Sequence, residues 1–333
     1  MKKYFFSLVA AMMAATASFS QSSMLATLSH DGEISTYYGS SALREAFTAA
    51  DNGDIITLSS GSFNAVDITK AVTIRGAGMA LDNTAQTEPT VITGDFKIEI
   101  PADVTSRFTL EGIYHNHTIT FTANLNNGTF LKDRFKTISY SNASVNNLTM
   151  IHCKVASDLR IAANSSVSCV NCVIWNPCYG SDSTSNYEFV NSIVYKGNNW
   201  EQIKCSSLKN SILISTSTGY ILSADNVVYN CVGTGSGAST LFNNMPNTTN
   251  KKSTYESLFT TFRGTYTDDE TFELTDEAKT SFVGIDGTQV GIYGGNMPFS
   301  TTPTNPQITR CNVAAKSTAD GKLSVDITVN GAE

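Results

Sequence analysis

Charged side chains and long apolar runs are both scarce in this chain of 333 residues. Asp, Glu, Lys and Arg together make up 15% of the sequence, and the formal net charge is −7. Phosphate binding requires a concentrated face of Lys and Arg, and because no such cluster occurs, nucleic acid is not an expected partner. After the N-terminal segment no run approaches the ~18 apolar residues of a spanning helix. No membrane span is therefore predicted.

The first 20 residues have the pattern of a signal peptide. Lys2-Lys3 forms a basic start, residues 4–17 are mostly apolar, and small residues precede a cleavage point expected before Gln21. This pattern predicts an exported protein, located in the periplasm, on the cell surface or outside the cell.

Cysteine is limited to seven residues, an odd number that leaves at least one unpaired. Cys153, Cys172 and Cys231 recur at one position of a repeat that elsewhere holds Ser, so this position requires a small side chain. Stacked parallel strands keep equivalent Cβ atoms about 4.8 Å apart, farther than the ~3.8 Å typical of a disulfide. We therefore predict buried thiols. The sequence leaves open the pairing of four others, Cys169, Cys178, Cys205 and Cys311.

A short phrase returns about every 20 residues through the middle of the chain. It consists of Asn, then Cys or Ser, then Val or Ile, and its copies start at Asn171, Asn191, Asn210 and Asn230. Earlier in the chain, the same phase is taken to hold Glu111, Asp133 and His152. A period of this length is too short for two helices and a loop, but it matches one turn of a β-solenoid.

The recurring Asn has a physical explanation. Asn tolerates the left-handed backbone of a bend between two strands, and its amide both donates and accepts hydrogen bonds. Stacked Asn side chains are therefore expected to bond to one another from coil to coil, as a ladder along the solenoid. Asn250 lies in a linker-like stretch and is expected to be dispensable.

The predicted fold is all-β, a right-handed parallel β-helix with a short N-terminal capping helix and a C-terminal β appendage. The capping helix is expected at residues 41–50, with a Ser cap and with Leu43, Ala46 and Phe47 on one face. The first coil is expected to contain strands at 54–58, 65–68 and 71–74. The predicted boundaries are a signal peptide at 1–20, a lead-in at 21–39, the capped β-helix at 40–299, a linker at 300–306 and a β-hairpin at 307–333.

Several motifs follow one another in a recognisable order: Ala42-Leu-Arg-Glu-Ala46, Gly53 to Leu58, Ala71 to Gly76 and the Asn repeat. Together they resemble the right-handed parallel β-helix proteins of the pectin-lyase-like class, and more narrowly its exported, mostly uncharacterised members on the surfaces of glycan-using Gram-negative anaerobes. Residues 284–299 resemble the Gly-rich strand that ends such helices. The resemblance implies a fold more than an activity, because the class includes lyases, hydrolases and proteins of no known reaction.

The catalytic motifs of that class do not transfer to this sequence. Its pectate lyases carry clustered Asp residues for Ca²⁺, and its hydrolases carry closely spaced Asp residues. Here the acids of the repeat region are scattered, and the pair Asp268-Asp269 lies beyond the repeat. No catalytic residue, metal or cofactor is assigned. The alternative is a polysaccharide lyase or glycoside hydrolase acting on acidic or complex glycans, with Glu111, Asp133 and His152 as its acid/base candidates.

Aromatic residues provide the candidate ligand-binding site. Trp175 and Tyr195 fall at the same phase of adjacent coils, and Trp200 follows in the next loop. Rings along a solenoid face supply flat contact area with a polar edge, which suits a sugar chain. Core packing is the competing interpretation, because the residues beside both rings are apolar. The expected function is an exported, non-catalytic scaffold, glycan-contacting or adhesive, whose partner is a polysaccharide or a cell-surface glycan.

Overall fold

Short apolar strands separated by Asn, Ser and Gly stack coil upon coil in the computed structural model and form a parallel β-solenoid of about eight turns. The structure describes residues 24–82, 87–141, 143–162, 164–178, 186–197, 203, 206–217, 222–223, 226–243, 245, 249–304, 306–313, 316–318 and 320–330. The predicted signal peptide, Trp200 and Cys205 lie outside these residues.

The elements are numbered in chain order. The helices of the described residues are α1 (Ala42–Ala49), α2 (Tyr255–Leu258) and α3 (Asp276–Ser281). The strands are β1 (Leu25–His30), β2 (Glu33–Tyr38), β3 (Ile55–Leu58), β4 (Gly61–Asn64), β5 (Thr73–Arg75), β6 (Thr90–Thr93), β7 (Phe96–Ile98), β8 (Phe108–Glu111), β9 (Ile113–Phe121), β10 (Gly128–Leu131), β11 (Arg134–Tyr140), β12 (Leu148–Ile151), β13 (Lys154–Arg160), β14 (Ser166–Val170), β15 (Val173–Trp175), β16 (Pro177–Cys178), β17 (Asn186–Val190), β18 (Ile193–Lys196), β19 (Ser206–Lys209), β20 (Ile212–Ser215), β21 (Val227–Tyr229), β22 (Val232–Thr234), β23 (Lys251–Lys252), β24 (Gln307–Val313) and β25 (Val325–Asn330).

Two long sheets run along the solenoid. Sheet A has 11 strands in the order β2-β1-β3-β5-β8-β10-β12-β14-β17-β19-β21, and sheet B has 12, with β23-β22-β20-β18-β15-β13-β11-β9-β6-β4 as its main path. The remaining strands of sheet B, β7 and β16, pair with the far ends of β9 and β13, so these long strands turn onto a third face of the coil. Between the faces lies one apolar core, which includes Phe108, Phe130 and Phe189.

The N-terminal end is closed by a hairpin as well as by the predicted helix. Strands β1 and β2 are joined through Asp31-Gly32, both at positive φ, and β1 pairs antiparallel with β3. An Asp-Gly pair between alternating residues is a hairpin signal, which the interpretation of 21–39 as an unstructured lead-in missed. Helix α1 buries the predicted face, but the side chain of Ser41 makes no capping hydrogen bond.

The first coil differs from the expected strands. No strand forms at 65–68, where Ile68 makes only an isolated bridge with Ile98. The strand lies earlier, at β4, and Gly61, expected in a turn, is its first residue. The chain needs the following residues to round a corner, so the apolar spacing of 65–68 reflects burial at a bend.

Residues 254–304, the cover segment, fold back over the outer face of sheet B. Their apolar side chains, including Phe259, Phe262 and Phe272, form a second buried cluster with the outward residues of that sheet. Residues 284–299 form no strand, so the expectation of a closing strand there is wrong; the chain instead runs back along the solenoid. Pro303, in the predicted linker, is buried beside Gly78.

The C-terminal residues form a hairpin of their own. Strands β24 and β25 pair antiparallel as a separate two-stranded sheet, with Gly321 at positive φ in the connection. On β25, Val325, Ile327 and Val329 are about half exposed.

Candidate functional site

The recurring Asn residues occupy the turn between a strand of sheet A and the next strand of sheet B. Their φ angles are 50° at Asn171, 48° at Asn191, 51° at Asn210 and 49° at Asn230, in the left-handed region that Asn tolerates. Going back along the solenoid, the same position holds His152 and then two residues that the repeat phase had missed, Lys132 and Gly112.

The Asn amides bond to the cover segment and not to one another. The amide of Asn171 donates to the carbonyls of Ile292 at 2.7 Å and Gly294 at 2.8 Å. That of Asn210 accepts from the backbone N–H of Ile285 at 3.0 Å. Within the described residues no Asn of this column bonds to another, so the proposed amide ladder is corrected. The physical reason is that the cover segment brings backbone groups within reach of a buried amide.

The rest of the column continues the same track. The Nε2 atom of His152 lies 3.0 Å from the carbonyl of Met297, and the Lys132 ammonium donates to the carbonyl of Thr302 at 2.6 Å. Pro303 then reaches Gly78. The cover segment therefore follows the turn column backwards along the solenoid, and this column is its binding site within the chain.

A hydrogen-bonded ladder does exist, one residue after the Asn. The Cys172 sulfur accepts from the N–H of Cys153 at 3.3 Å, and Ser192 Oγ accepts from the N–H of Cys172 at 3.1 Å. The next step, from Ser192 to Ser211, has the same 3.1 Å distance. At the end of the column Asn250 Oδ1 accepts from the N–H of Cys231 at 3.0 Å. The expectation that Asn250 is dispensable is therefore wrong.

At its other end this ladder begins with Asp133. Its carboxylate accepts from the N–H of Ile113 at 2.8 Å and from that of Leu131 at 3.1 Å. Burial raises the pKa of Asp133 well above its ordinary value, partly opposed by these two donors and reinforced by the nearby charge of Glu111. Asp133 thus occupies the small-residue column as a hydrogen-bond acceptor.

The cysteines of the ladder are buried thiols, as the sequence predicted. Cys153, Cys172 and Cys231 are fully buried and free, and so is Cys169. Burial raises the pKa of the Cys153 and Cys172 thiols well above the ordinary value and that of Cys231 to about 12. These thiols are therefore protonated and poorly reactive in the folded chain.

The acid/base candidates Glu111, Asp133 and His152 do not share one column. Strand pairing aligns Glu111 with Leu131, and Leu131 with Ile151, so the three candidates fall on three successive columns. Glu111 is buried and forms an ion pair of 3.1 Å with Arg75. The fixed phase assumed for these residues was wrong because the early steps of the repeat are not uniform.

Trp175 and Tyr195 stack as their phase predicts, but on the covered face. Their ring centroids are 3.9 Å apart and their planes differ by 4°. Tyr266 of the cover segment lies 4.7 Å from Trp175, and Phe262 and Phe272 surround it. Both residues are partly buried against the second apolar cluster. Their arrangement is that of packed side chains.

The loop that carries Asp268 is attached to sheet B by charged groups. Arg134 forms an ion pair with Asp268, and its guanidinium lies 4.4 Å from the ring centre of Tyr114. The ammonium of Lys154, nearly buried, donates to the carbonyl of Glu270 at 3.2 Å. The acidic pair that stood out in the sequence thus anchors the cover segment.

The outer face of sheet A offers a regular and more open surface, which sequence reasoning did not identify. Strand pairing aligns one outward column of hydroxyl residues, Thr73, Thr109, Thr129, Thr149 and Ser168. Beside it runs an aliphatic column, Leu131, Ile151, Val170 and Val190. All are partly exposed. The signal was present as a hydroxyl residue two positions before each aliphatic one, at the period of the coil.

Comparisons with known proteins add no assignment. No protein-family model, curated protein or solved structure matches this chain. In the part of the chain that the structure describes, no helix is long and apolar enough to cross a membrane. The same residues contain no group of three or more His, Cys, Asp or Glu placed to hold a metal ion.

Proposed function

We propose that this chain is an exported, non-catalytic β-helix scaffold of the pectin-lyase-like class that contacts glycans or mediates adhesion at a cell surface. The observation that carries the proposal is the outer face of sheet A, with its hydroxyl column beside an aliphatic column. The candidate contact surface therefore moves from Trp175 and Tyr195 to this face.

The spacing of the face suits an extended polyhydroxylated chain. Equivalent side chains repeat about every 4.8 Å along the solenoid, and the two columns lie roughly 6.6 Å apart across the strand. Thr and Ser hydroxyls both donate and accept hydrogen bonds, while the aliphatic column offers contact for the C–H faces of sugar rings. A polymer lying along the axis would meet the same pair of groups at every coil.

The charges of this face are paired at its two ends. Arg75 and Glu111 form one pair at 3.1 Å, and Lys209 and Glu188 form another at 3.4 Å. Between them the two columns carry no charge. Polar but uncharged contact favours recognition by hydrogen bonding and shape.

The aromatic pair supports this proposal less well. One face of the Trp175 ring is stacked on Tyr195, and Tyr266 packs against it from the cover segment. A sugar ring needs a free aromatic face. Trp200 lies outside the described residues and carries no part of the proposal.

The alternative, a lyase or hydrolase, receives less support from the acids that the sequence offered. Asp133 accepts two backbone N–H groups, Glu111 pairs with Arg75, and Asp268 pairs with Arg134. Each has a structural partner that would have to be released for acid/base chemistry.

Binding to soluble polysaccharides, measured by affinity electrophoresis and calorimetry, tests the proposal. Thr149→Glu places a charge at the centre of the face and should weaken binding by about tenfold or more. Thr267→Glu, at an exposed position of the cover segment, is the matched control and should bind as the wild type does. Equal binding by both variants, or release of reducing ends or unsaturated products by the wild type, would overturn the proposal.

A further inference from the structure

Strand β2 is an open edge of sheet A. Edge strands usually carry Lys, Pro or a bulge that prevents further pairing, but the sequence of β2, Glu-Ile-Ser-Thr-Tyr-Tyr, contains none of these residues. Its six-residue register with β1 is unbroken. Only Glu33, next to the turn, is charged.

The hydrogen-bond pattern shows which backbone groups of β2 are directed outwards. In a two-residue hairpin the closing pair, His30 and Glu33, is hydrogen-bonded, and bonded pairs then alternate along the strands. The N–H of Gly39 donates to the carbonyl of Met24 at 3.0 Å, which fixes the same alternation at the far end. The N–H and C=O groups of Ile34, Thr36 and Tyr38 therefore point away from β1.

The side chains of these residues are exposed as well. Ile34 is 71% exposed and Tyr38 is 59% exposed, and they lie two positions on either side of Thr36 on one face of the strand. Exposed large apolar residues beside unpaired backbone groups are the features of a strand that adds to another sheet.

We propose that β2 pairs antiparallel with β2 of a second copy of this chain, about a two-fold axis through Thr36. This register places Ile34 opposite Tyr38 of the other copy twice, and a β-branched residue opposite an aromatic one is a favourable cross-strand pair. Glu33 then faces Gly39 and not a second Glu33, so like charges are kept apart. A shift by two residues would lose one of the two Ile–Tyr pairs.

The resulting dimer is closed, because both copies use the same surface. It joins two 11-stranded sheets into one, with the outer faces of both sheet A copies on the same side. The interface is small, which favours a dissociation constant in the micromolar range. Concentration-dependent dimerisation is therefore the expected behaviour.

Sedimentation over a concentration series gives the first test. The wild type should shift from monomer to dimer, and Ile34→Lys should weaken dimerisation by about tenfold or more, since it places a charge opposite Tyr38. Ile285→Lys is the matched control, because Ile285 is 79% exposed and remote from β2. A wild type that stays monomeric, or a dimer that Ile34→Lys does not weaken, would overturn the proposal.

Disulfide trapping tests the register. Residues directly opposite in an antiparallel pair have Cα atoms about 4.5–5.5 Å apart, within the range of a disulfide. Thr36→Cys should cross-link to itself under mild oxidation, faster than the wild type with its native cysteines. Ile34→Cys should not do so alone, but should cross-link when mixed with Tyr38→Cys. Equal rates for Thr36→Cys and Ile34→Cys would contradict the two-fold axis at Thr36.

Discussion

The outer faces of the two long sheets differ although the same coils build both. On sheet B the outward residues Val173 and Ile193 are completely buried beneath the cover segment. On sheet A the outward residues of the same coils, such as Ile151 and Ser168, are partly exposed. One face has become an internal layer of the fold, and the other is a surface.

Local sequence already distinguishes the two faces. A strand that is covered on both sides has a continuous apolar run, whereas a strand with one solvated side alternates. Val173-Ile174 and Ile193-Val194 in sheet B are continuous, while Leu148-Thr149-Met150 in sheet A alternates. A solenoid strand with consecutive aliphatic residues therefore predicts an additional layer elsewhere in the chain.

The largest effect is expected from placing a charge on each face in turn. Ile193→Asp buries a carboxylate beneath the cover segment and should cost roughly 4 kcal/mol of unfolding free energy or more. Thr149→Asp on sheet A should change it by less than about 1 kcal/mol. Denaturant unfolding measures both values. Similar costs for the two variants would remove the distinction between the faces.

An intermediate effect should separate the amide contacts from the left-handed turn. Asn171→Gly keeps a backbone that accepts positive φ, but leaves the carbonyls of Ile292 and Gly294 without their donor, at a cost of about 1–3 kcal/mol. Asn230→Gly has the same backbone requirement, and Asn230 is half-buried. It should therefore cost less. A comparison of melting temperatures would detect equal effects, which would mean that the cover segment gains nothing from the Asn column.

A smaller, pH-dependent effect is expected at Asp133, between the two sheets. The folded chain holds the proton of Asp133 more tightly than the unfolded chain does. The stability that this provides is complete below about pH 4 and is lost as the pH rises through the raised pKa. Asp133→Ser keeps an acceptor for the N–H of Ile113 without this loss.

Unfolding free energies at acid and neutral pH provide the measurement. The advantage of Asp133→Ser over the wild type should increase as the pH rises towards neutrality. An advantage that stays constant with pH would show that Asp133 titrates normally in the fold.

The smallest effect is expected at Cys172. Ser occupies the same column at Ser192 and Ser211, so Cys172→Ser should change stability by less than about 1 kcal/mol. Cys172→Val is the control, because it removes the acceptor for the N–H of Cys153 and should cost about 1–3 kcal/mol. Thiol labelling should modify Cys172 only after denaturation. A disulfide between Cys153 and Cys172 would contradict the ladder.

The sequence predicted the solenoid because a 20-residue period is a property of local strands and turns. It also predicted the left-handed turn at Asn171 and its equivalents, since that conformation depends on one residue. The partner of the Asn amide was beyond its reach. Ile292 and Gly294 are more than 100 residues away and belong to a segment without periodicity, so no local pattern connects them to the column.

The candidate site was less predictable than the fold. The phase of Trp175 and Tyr195 predicted their stacking, but the direction in which they face depends on the cover segment. The hydroxyl column was present in the sequence at the coil period, from Thr109 to Ser168. It was overlooked because Thr and Ser are also common in strands for reasons unrelated to binding.

Hydroxyl-radical footprinting of the wild-type chain tests the central claim most directly, because aliphatic residues of matched chemistry point outwards on both sheets. The account predicts that Ile151 and Val170 on sheet A are oxidised several times faster than Ile193 and Ile212 beneath the cover segment. Equal oxidation of the two sets in the folded protein would contradict it.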